Sequence, residues 1–302
     1  MRKEFKRNRQ LYLMCIPALL LLLLLAYIPM AGIWMAFTNY NVKYGIFGSP
    51  FVGLQNFKHF FRNSTGMGWK VIRNTLVINF WGLILGTIFP ITIAICFNEI
   101  RGKVFKKVTQ SAMFFPYFLS WVVVNAIIYA FFSNSSGAIN QMLEEFGLER
   151  VRWYAEKEHW RPIIIGASVW KWCGYNSIIY MAAMANFDSS LYEAAAVDGA
   201  NRFQQIRRIT LPLLVPTIVV LSLMSIGRIF FGDFGMIYAL VGNNPLLYDE
   251  VAVIDTYVYS AMRSLGFSYT TAVGLFQSVM GLILVTASNK LAKKITGGEG
   301  LF

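Results

Sequence analysis

Six stretches of this chain are apolar over about twenty residues or more, near 11–37, 71–97, 111–132, 162–185, 211–231 and 270–289. A helix of about 20 residues covers the roughly 30 Å of hydrocarbon in a bilayer. Lipid offers no partner to a backbone N–H or C=O, so such stretches are restricted to α-helices that satisfy their own groups. The pattern predicts an all-α polytopic membrane protein with six transmembrane helices, forming one transmembrane domain over residues 1–302. Composition agrees, because 56% of residues are hydrophobic and only 14% are charged, against about 25% charged in soluble domains. The first stretch begins like a secretory leader, with Arg2, Lys3, Lys6, Arg7 and Arg9 ahead of a leucine run from Leu19 to Leu25. It runs on to Phe37 without a small-residue cleavage site, and so reads as a retained helix.

The charge distribution sets the expected orientation. With the N-terminus inside, the segments 1–10, 98–110, 186–210 and 290–302 hold 15 Lys and Arg in 61 residues. The opposite segments 38–70, 133–161 and 232–269 hold 9 in 100. Cytoplasmic loops carry the excess of Lys and Arg, so both termini and the 186–212 loop are expected in the cytoplasm. The same distribution disposes of nucleic acid as the reason for the net charge of +12, since no soluble segment could carry a basic patch. In the outer segments, Ile139, Met142, Leu143 and Phe146 recur at helical spacing and predict a short surface helix. Residues 249–266 are half-apolar, with Val251, Ile254, Val258 and Met262 on one face, and predict an interfacial or re-entrant helix.

Chemistry-bearing residues are sparse. Cys15, Cys96 and Cys173 lie in apolar runs without paired spacing, and His59 and His159 stand in separate loops. Neither set has the spacing of a metal site, so no metal ligand and no catalytic residue is assigned. A membrane-embedded enzyme would need an acid–base, nucleophile or metal set within the spans, and none is legible. A self-contained secondary transporter or channel with six helices is the alternative reading. It would be expected to show internal repeats and charges at mid-membrane, and no repeat is found.

The segment between the fourth and fifth apolar runs is different in kind. Ser190-Leu-Tyr-Glu193 has the form of a capping box, and Ala194, Ala195 and Ala196 propagate a helix cheaply. Gly199 supplies a left-handed stop, Asn201 a second cap, and Pro212 a first-turn position at the start of the next span. The expectation is two short helices meeting at a bend, parallel to the membrane, whose small side chains let another protein approach closely.

This segment resembles the EAA loop of the permease subunits of binding-protein-dependent ABC importers. The family pattern is Glu-Ala-Ala, three residues, Gly, nine residues, Ile, one residue and Leu-Pro. It is met without departure by Glu193-Ala194-Ala195, Gly199, Ile209 and Leu211-Pro212. Pro17, Tyr27-Ile28-Pro29, the stretch Phe51 to Phe57 and Gly137-Ala-Ile-Asn140 are similar to the carbohydrate-importing, maltose-permease-like branch, and within it to permeases for oligo- or polysaccharide fragments.

The resemblance implies a type I ABC importer permease fold in a bacterial cytoplasmic (inner) membrane. It implies that the 193–212 loop, including Asp198, is a coupling helix docked in a cleft of a separate ATPase. Glu193 would meet a basic residue there, and Gly199 would allow the bend. The implied partners are a second homologous permease, in a heterodimer by the habit of the branch, two ATPase subunits, an extracellular solute-binding protein and a carbohydrate. The chain itself contains no Gly-x-x-x-x-Gly-Lys-[Ser/Thr] phosphate loop. It is therefore expected to be a non-catalytic subunit with no cofactor, ATP and Mg being bound by the partner.

A sugar pathway would combine aromatic faces with amides and hydroxyls. Trp172, Asn176 and Tyr180 form one stripe of the fourth segment, Lys171 and Tyr175 the neighbouring one, and Asn125 lies in the third segment between Trp121 and Tyr129. Polar groups at membrane depth favour a cavity, so these residues are candidates for the pathway. Lys171 facing that cavity would favour an anionic sugar such as a uronate. Arg228 is a further candidate near the outer end of the fifth segment, with Asp233 close by as a possible ion-pair partner.

Overall fold

The computed structural model describes residues 8–62, 66–100, 102–242 and 244–296. The leader residues Arg2, Lys3, Lys6 and Arg7, and Arg101 of the first basic loop, lie outside the described residues. The chain divides into two compact units, one formed by residues 1–63 and 258–276, the other by 64–257 and 277–302.

In the first unit, α1 (Arg9–Phe37) is apolar throughout and keeps its surface exposed, as expected of a helix covered by lipid. The stretch Phe51 to Phe57 folds back as a clasp on the end of α1. Phe51 bridges Thr38, the Val52 N–H donates to the Phe37 carbonyl at 2.8 Å, and the Asn56 amide donates to the Ala36 carbonyl at 2.9 Å. Gly53 takes the left-handed turn, with φ +59°, that starts α2 (Gln55–Arg62). Phe60 on α2 packs against Tyr269 and Phe276.

The second unit is built on two long helices, α3 (Met67–Glu99) and α7 (Trp160–Met184), packed along their length. Ile78, Val124, Ile128, Trp160, Ile164 and Met236 make its main apolar core. One end is pinned by a buried amide. Asn74 on α3 donates to the Asp249 and Ala252 carbonyls at 3.0 and 3.2 Å and accepts from Arg161 of α7 at 2.8 Å. Arg161 also pairs with Glu250 at 2.8 Å, in α11 (Pro245–Val251). Buried polar groups are tolerated when fully partnered, and these are.

Among the described residues, four helices are long and apolar enough to cross a membrane: α1, α3, α9 (Arg202–Gly227) and α12, which runs Ile254–Thr296 and is apolar over Ile254–Leu291. A fifth crossing arises if α4 (Lys103–Phe118) and α5 (Trp121–Phe132) count as one bent span. The expected fourth span, α7, has 25 residues and is long enough at about 37 Å. Arg161, Lys171, Asn176 and two serines, Ser168 and Ser177, dilute its apolarity.

Three expectations are corrected. The helix expected over 111–132 is broken, with its halves 103° apart. Leu119 and Ser120 are extended at the break, and the Ser120 side chain starts α5 by accepting the Val123 N–H. Residues 249–266 do not form a separate interfacial helix. They divide between α11 and α12, which continues past 266 through a kink where Gly266 has φ +79°. The second short helix expected in the 186–212 loop is instead the beginning of α9, which runs unbroken into the fifth apolar stretch.

On the predicted outer side, α6 (Ala138–Glu145) forms as expected. Its Gly137 cap is obligatory, because a Cβ there would meet the Ser133 carbonyl at 2.4 Å. Asn140 holds the loop by donating to the Val151 carbonyl at 3.0 Å and accepting from the Val151 N–H and the Trp153 indole, each at 3.1 Å. The two residues at the ends of the Gly137-Ala-Ile-Asn140 motif are thus the ones that shape this loop.

Candidate functional site

Two regions carry the candidate residues. The first is the loop between α7 and α9. Asp188, not Ser190, caps α8 (Ser189–Val197), accepting the Ser190 N–H at 2.9 Å. The Ser190 backbone and side-chain hydrogen bonds hold the Asp188 carboxyl below the usual carboxylate range. The capping box expected from Ser190 and Glu193 does not form, since the helix has already begun at Ser189, and Glu193 stands exposed. Ala194 is also exposed and Ala195 half-buried. The helix ends in a Schellman pattern, the Ala200 N–H reaching the Ala195 carbonyl at 2.8 Å and the Gly199 N–H the Ala196 carbonyl at 3.1 Å. Gly199 has φ +80°, the backbone that glycine adopts without strain, and Asp198 beside it is exposed.

Asn201 then opens α9 with a complete capping box, its side chain accepting the Gln204 N–H at 2.9 Å while Gln204 accepts the Asn201 N–H at 2.8 Å. Residues Ile206–Thr210 widen into a π turn just before Pro212. Proline lacks an N–H and crowds the carbonyl four residues back, and a wider turn relieves that crowding. Ile209 and Leu211 are half-buried, Leu211 against the core that contains Leu214. A hydrogen bond of 3.0 Å between the Tyr192 and Thr210 hydroxyls ties α8 to α9. Val197 and Phe203 remain 88% and 71% exposed, so the loop presents apolar as well as small side chains.

The second region is a cavity of about 540 Å³ between α3, α7, the end of α9 and the turn that follows it. This lies within the range of ordinary small-molecule sites, roughly 300–1,000 Å³. Trp172 and Asn176 line it, as does Arg228. Asn79, Gly82 and Gly86 supply the α3 wall, and Ser168, Ser225 and Asp233 add polar groups. Asn79 clamps the turn by donating to the Ile229 and Phe231 carbonyls at 2.7 and 3.0 Å. The α10 helix (Phe234–Val241) is capped by Asp233, whose Oδ1 accepts the Met236 N–H at 2.9 Å and whose Oδ2 accepts the Trp121 indole N–H at 3.0 Å. The anticipated pair between Arg228 and Asp233 does not form among the described residues.

Four of the sequence-predicted pathway residues do not line this cavity. Tyr180 is buried in the core with Ile91, Met184 and Leu214. Tyr175 stacks on Tyr117 with ring centroids 4.4 Å apart. Asn125 is half-buried on α5, away from the cavity walls. Lys171 is only 6% exposed and faces the break between α4 and α5. Its ammonium donates to the carbonyls of Pro116 at 3.3 Å, Tyr117 at 2.9 Å and Leu119, and lies 5.4 Å from the Trp121 ring. One residue of helix is a turn of about 100°, so the 171/175 stripe faces the break while 172 and 176 border the cavity, Trp172 also packing edge-to-face against Tyr117 at 5.4 Å. Gly174 makes this possible, because a Cβ there would meet the Met113 carbonyl at 1.9 Å.

Residues 82–297 match the family described as binding-protein-dependent transport system inner membrane component. The chain belongs to this family. Among its relatives, the polygalacturonan/rhamnogalacturonan transport system permease protein YteP of Bacillus subtilis (strain 168) is 39% identical over 297 residues, 98% of this chain and 91% of that protein. A crystal structure of a bacterial alginate ABC transporter, in complex with an alginate pentasaccharide-bound periplasmic protein, contains a chain that superposes with a TM-score of 0.89 at 35% identity, covering 100% of this chain and 99% of that one. A second structure, of a bacterial ABC transporter involved in the import of the acidic polysaccharide alginate, gives 0.87 at 36% identity, covering 97% of this chain and 98% of that chain. The protein is thus a permease of a sugar ABC importer, a membrane component with the all-helical type I fold.

Within this permease the cavity contains residues that sequence reasoning passed over, Asn79 above all. The signal was present. Asn79, Gly82 and Gly86 recur at helical spacing within the largely apolar stretch 76–97, and a polar or small stripe on such a helix marks an interface or a cavity.

Proposed function

We propose that this permease is one of two membrane subunits of an ATP-driven importer that passes an oligosaccharide from an extracellular binding protein into the cytoplasm. Six helices cross the bacterial inner membrane with both termini inside. The second permease is a homolog in a heterodimer, and two ATPase subunits bind ATP and Mg and hydrolyse the nucleotide. The exposed Glu193-Ala194-Ala195 face, with Asp198 and Gly199, docks on an ATPase. Ile209, Leu211 and Pro212 carry its movement along α9. Closure of the ATPase pair then rocks the permease between inward- and outward-facing states.

The observation that carries this reading is the loop itself. It pairs an exposed, small-residue helix with an unbroken connection from Asn201 into a membrane-length helix. A helix that merely lay on headgroups would present a broad apolar face and would not need the Tyr192–Thr210 tie. The self-contained transporter loses its support to the family membership, which assigns the chain to a system with separate components.

The test is co-isolation followed by reconstitution. The chain should copurify with a nucleotide-hydrolysing subunit, and sugar uptake into proteoliposomes should require ATP inside together with the loaded binding protein. Sugar uptake by this chain alone, without ATP, would overturn the reading.

A further inference from the structure

We propose that Arg228 forms a carboxylate-reading subsite in the cavity, taking a uronate residue of the passing oligosaccharide. This rests on the reading of the chain as an oligosaccharide-importing permease and adds the residue that sets charge preference. The two candidate cations have separate fates. Lys171 is consumed by the carbonyls of Pro116, Tyr117 and Leu119 and by the Trp121 ring, so its charge does not reach the cavity. Arg228 lines the cavity, is exposed, and forms no ion pair among the described residues.

The neighbouring carboxylates are held by other donors and form no ion pair with Arg228 among the described residues. Asp233 shares the wall, but its two oxygens are taken by the Met236 N–H and the Trp121 indole. Asp255 sits behind that wall, where its Oδ2 accepts the Gly232 N–H at 2.6 Å and the Gln277 amide at 3.1 Å. The guanidinium is therefore the cation of this wall whose donors are not taken by a carboxylate among the described residues, and a planar fork of N–H groups matches a carboxylate.

The rest of the cavity suits a pyranose rather than a bare anion. Trp172 offers a ring face for C–H groups, and Asn176, Ser168 and Ser225 offer partners for hydroxyls. Asn79 fixes the turn that follows Arg228, so the backbone that brings Arg228 to the cavity wall is structured.

The experiment uses the complete importer, with both permeases and its ATPases, in nanodiscs. Equilibrium binding of trigalacturonate and of its uncharged methyl ester is measured for the wild type, Arg228→Gln and Arg228→Lys. Loss of a charge-assisted hydrogen bond is expected to weaken trigalacturonate about tenfold or more in Arg228→Gln. The ester should change by less than about twofold, and Arg228→Lys should recover part of the acid's affinity. Equal weakening of acid and ester, no change in either, or a wild type that binds both equally would overturn the proposal. Repeating the series in zwitterionic and in anionic lipid separates the other source of anions. An effect of Arg228→Gln confined to anionic nanodiscs would mean that the guanidinium reads a lipid headgroup, which also overturns it. Wild-type proteoliposomes that take up carbohydrate without preferring the acid would sink this subsite alone, whereas uptake of no carbohydrate at all would sink the functional reading beneath it.

Discussion

The Lys171 ammonium on α7 donates to the Tyr117 carbonyl at 2.9 Å, at the point where the neighbouring chain turns through 103°. A break in a buried helix frees carbonyls that lipid cannot satisfy. A cation at a helix C-terminus also meets the negative end of its dipole. Lys171 supplies both. Replacing it with methionine keeps the stem and leaves the carbonyls of Tyr117 and Leu119 without this donor, while the Pro116 carbonyl keeps the Leu119 N–H at 3.2 Å. The expected cost is about 1–3 kcal/mol for each carbonyl left buried and unpaired. It should appear as a lower unfolding temperature in detergent, with partial recovery in Lys171→Arg. An unchanged unfolding temperature would mean that water or lipid headgroups serve these carbonyls equally well.

The exposed Glu193 gives the coupling prediction. Glu193→Lys reverses the charge on the face proposed to meet the ATPase while leaving the Asp188 cap and the Gly199 stop in place. The variant should insert into the membrane at wild-type level, and sugar uptake per ATP hydrolysed should collapse. Loss of the protein from the membrane fraction would instead assign Glu193 a structural part.

Trp172 is the aromatic wall of the cavity on α7. Trp172→Ala should raise the KM for sugar uptake several-fold, since ring stacking is worth about 1 kcal/mol or more. Assembly with the partner subunits should persist, as judged by copurification. Wild-type uptake kinetics would remove this ring from the route.

Tyr154, in the loop before α7, buries its hydroxyl with no hydrogen-bond partner among the described residues. Burial, reinforced by Tyr129, pushes its pKa up to about 12. Tyr154→Phe should therefore raise stability by about 1 kcal/mol, by removing an unsatisfied group. The pH dependence has a definite sign. The folded state holds the phenolic proton more tightly than the unfolded state, so this contribution is complete below about pH 10 and is lost as pH rises toward 12. The advantage of the phenylalanine variant should widen over that window. A constant gap between the two melting curves would show that the phenol is not buried in solution.

Much of this architecture was legible in the chain. Gly199 and Asn201 announced a left-handed stop and a cap, because each residue type has a local backbone preference that needs no tertiary context. The cap at Asp188 was misplaced by two positions because Asp188 and Ser190 are both competent, and only the path of the chain leaving α7 chooses between them. The break at Leu119 was missed because apolar periodicity runs straight through it. Its only local marks are Pro116 and Ser120, and the compensating donor lies on another helix. The two stripes of α7 looked alike in sequence, since both mix aromatic and polar residues. What separates them is Gly174, whose missing Cβ admits the α4 backbone to one side only.

The helix that begins at Arg202 continues through the widened turn at Ile206–Thr210 to Gly227, so one continuous helix of 26 residues spans about 39 Å. Its first turn belongs to the loop, and its last residue adjoins Arg228. A tilt of about 5° at the loop end would displace the far end by about 3 Å over that length, the width of a hydrogen bond. Under the proposed coupling, a lever of this kind would carry motion of the loop into the cavity wall as a change in cavity chemistry.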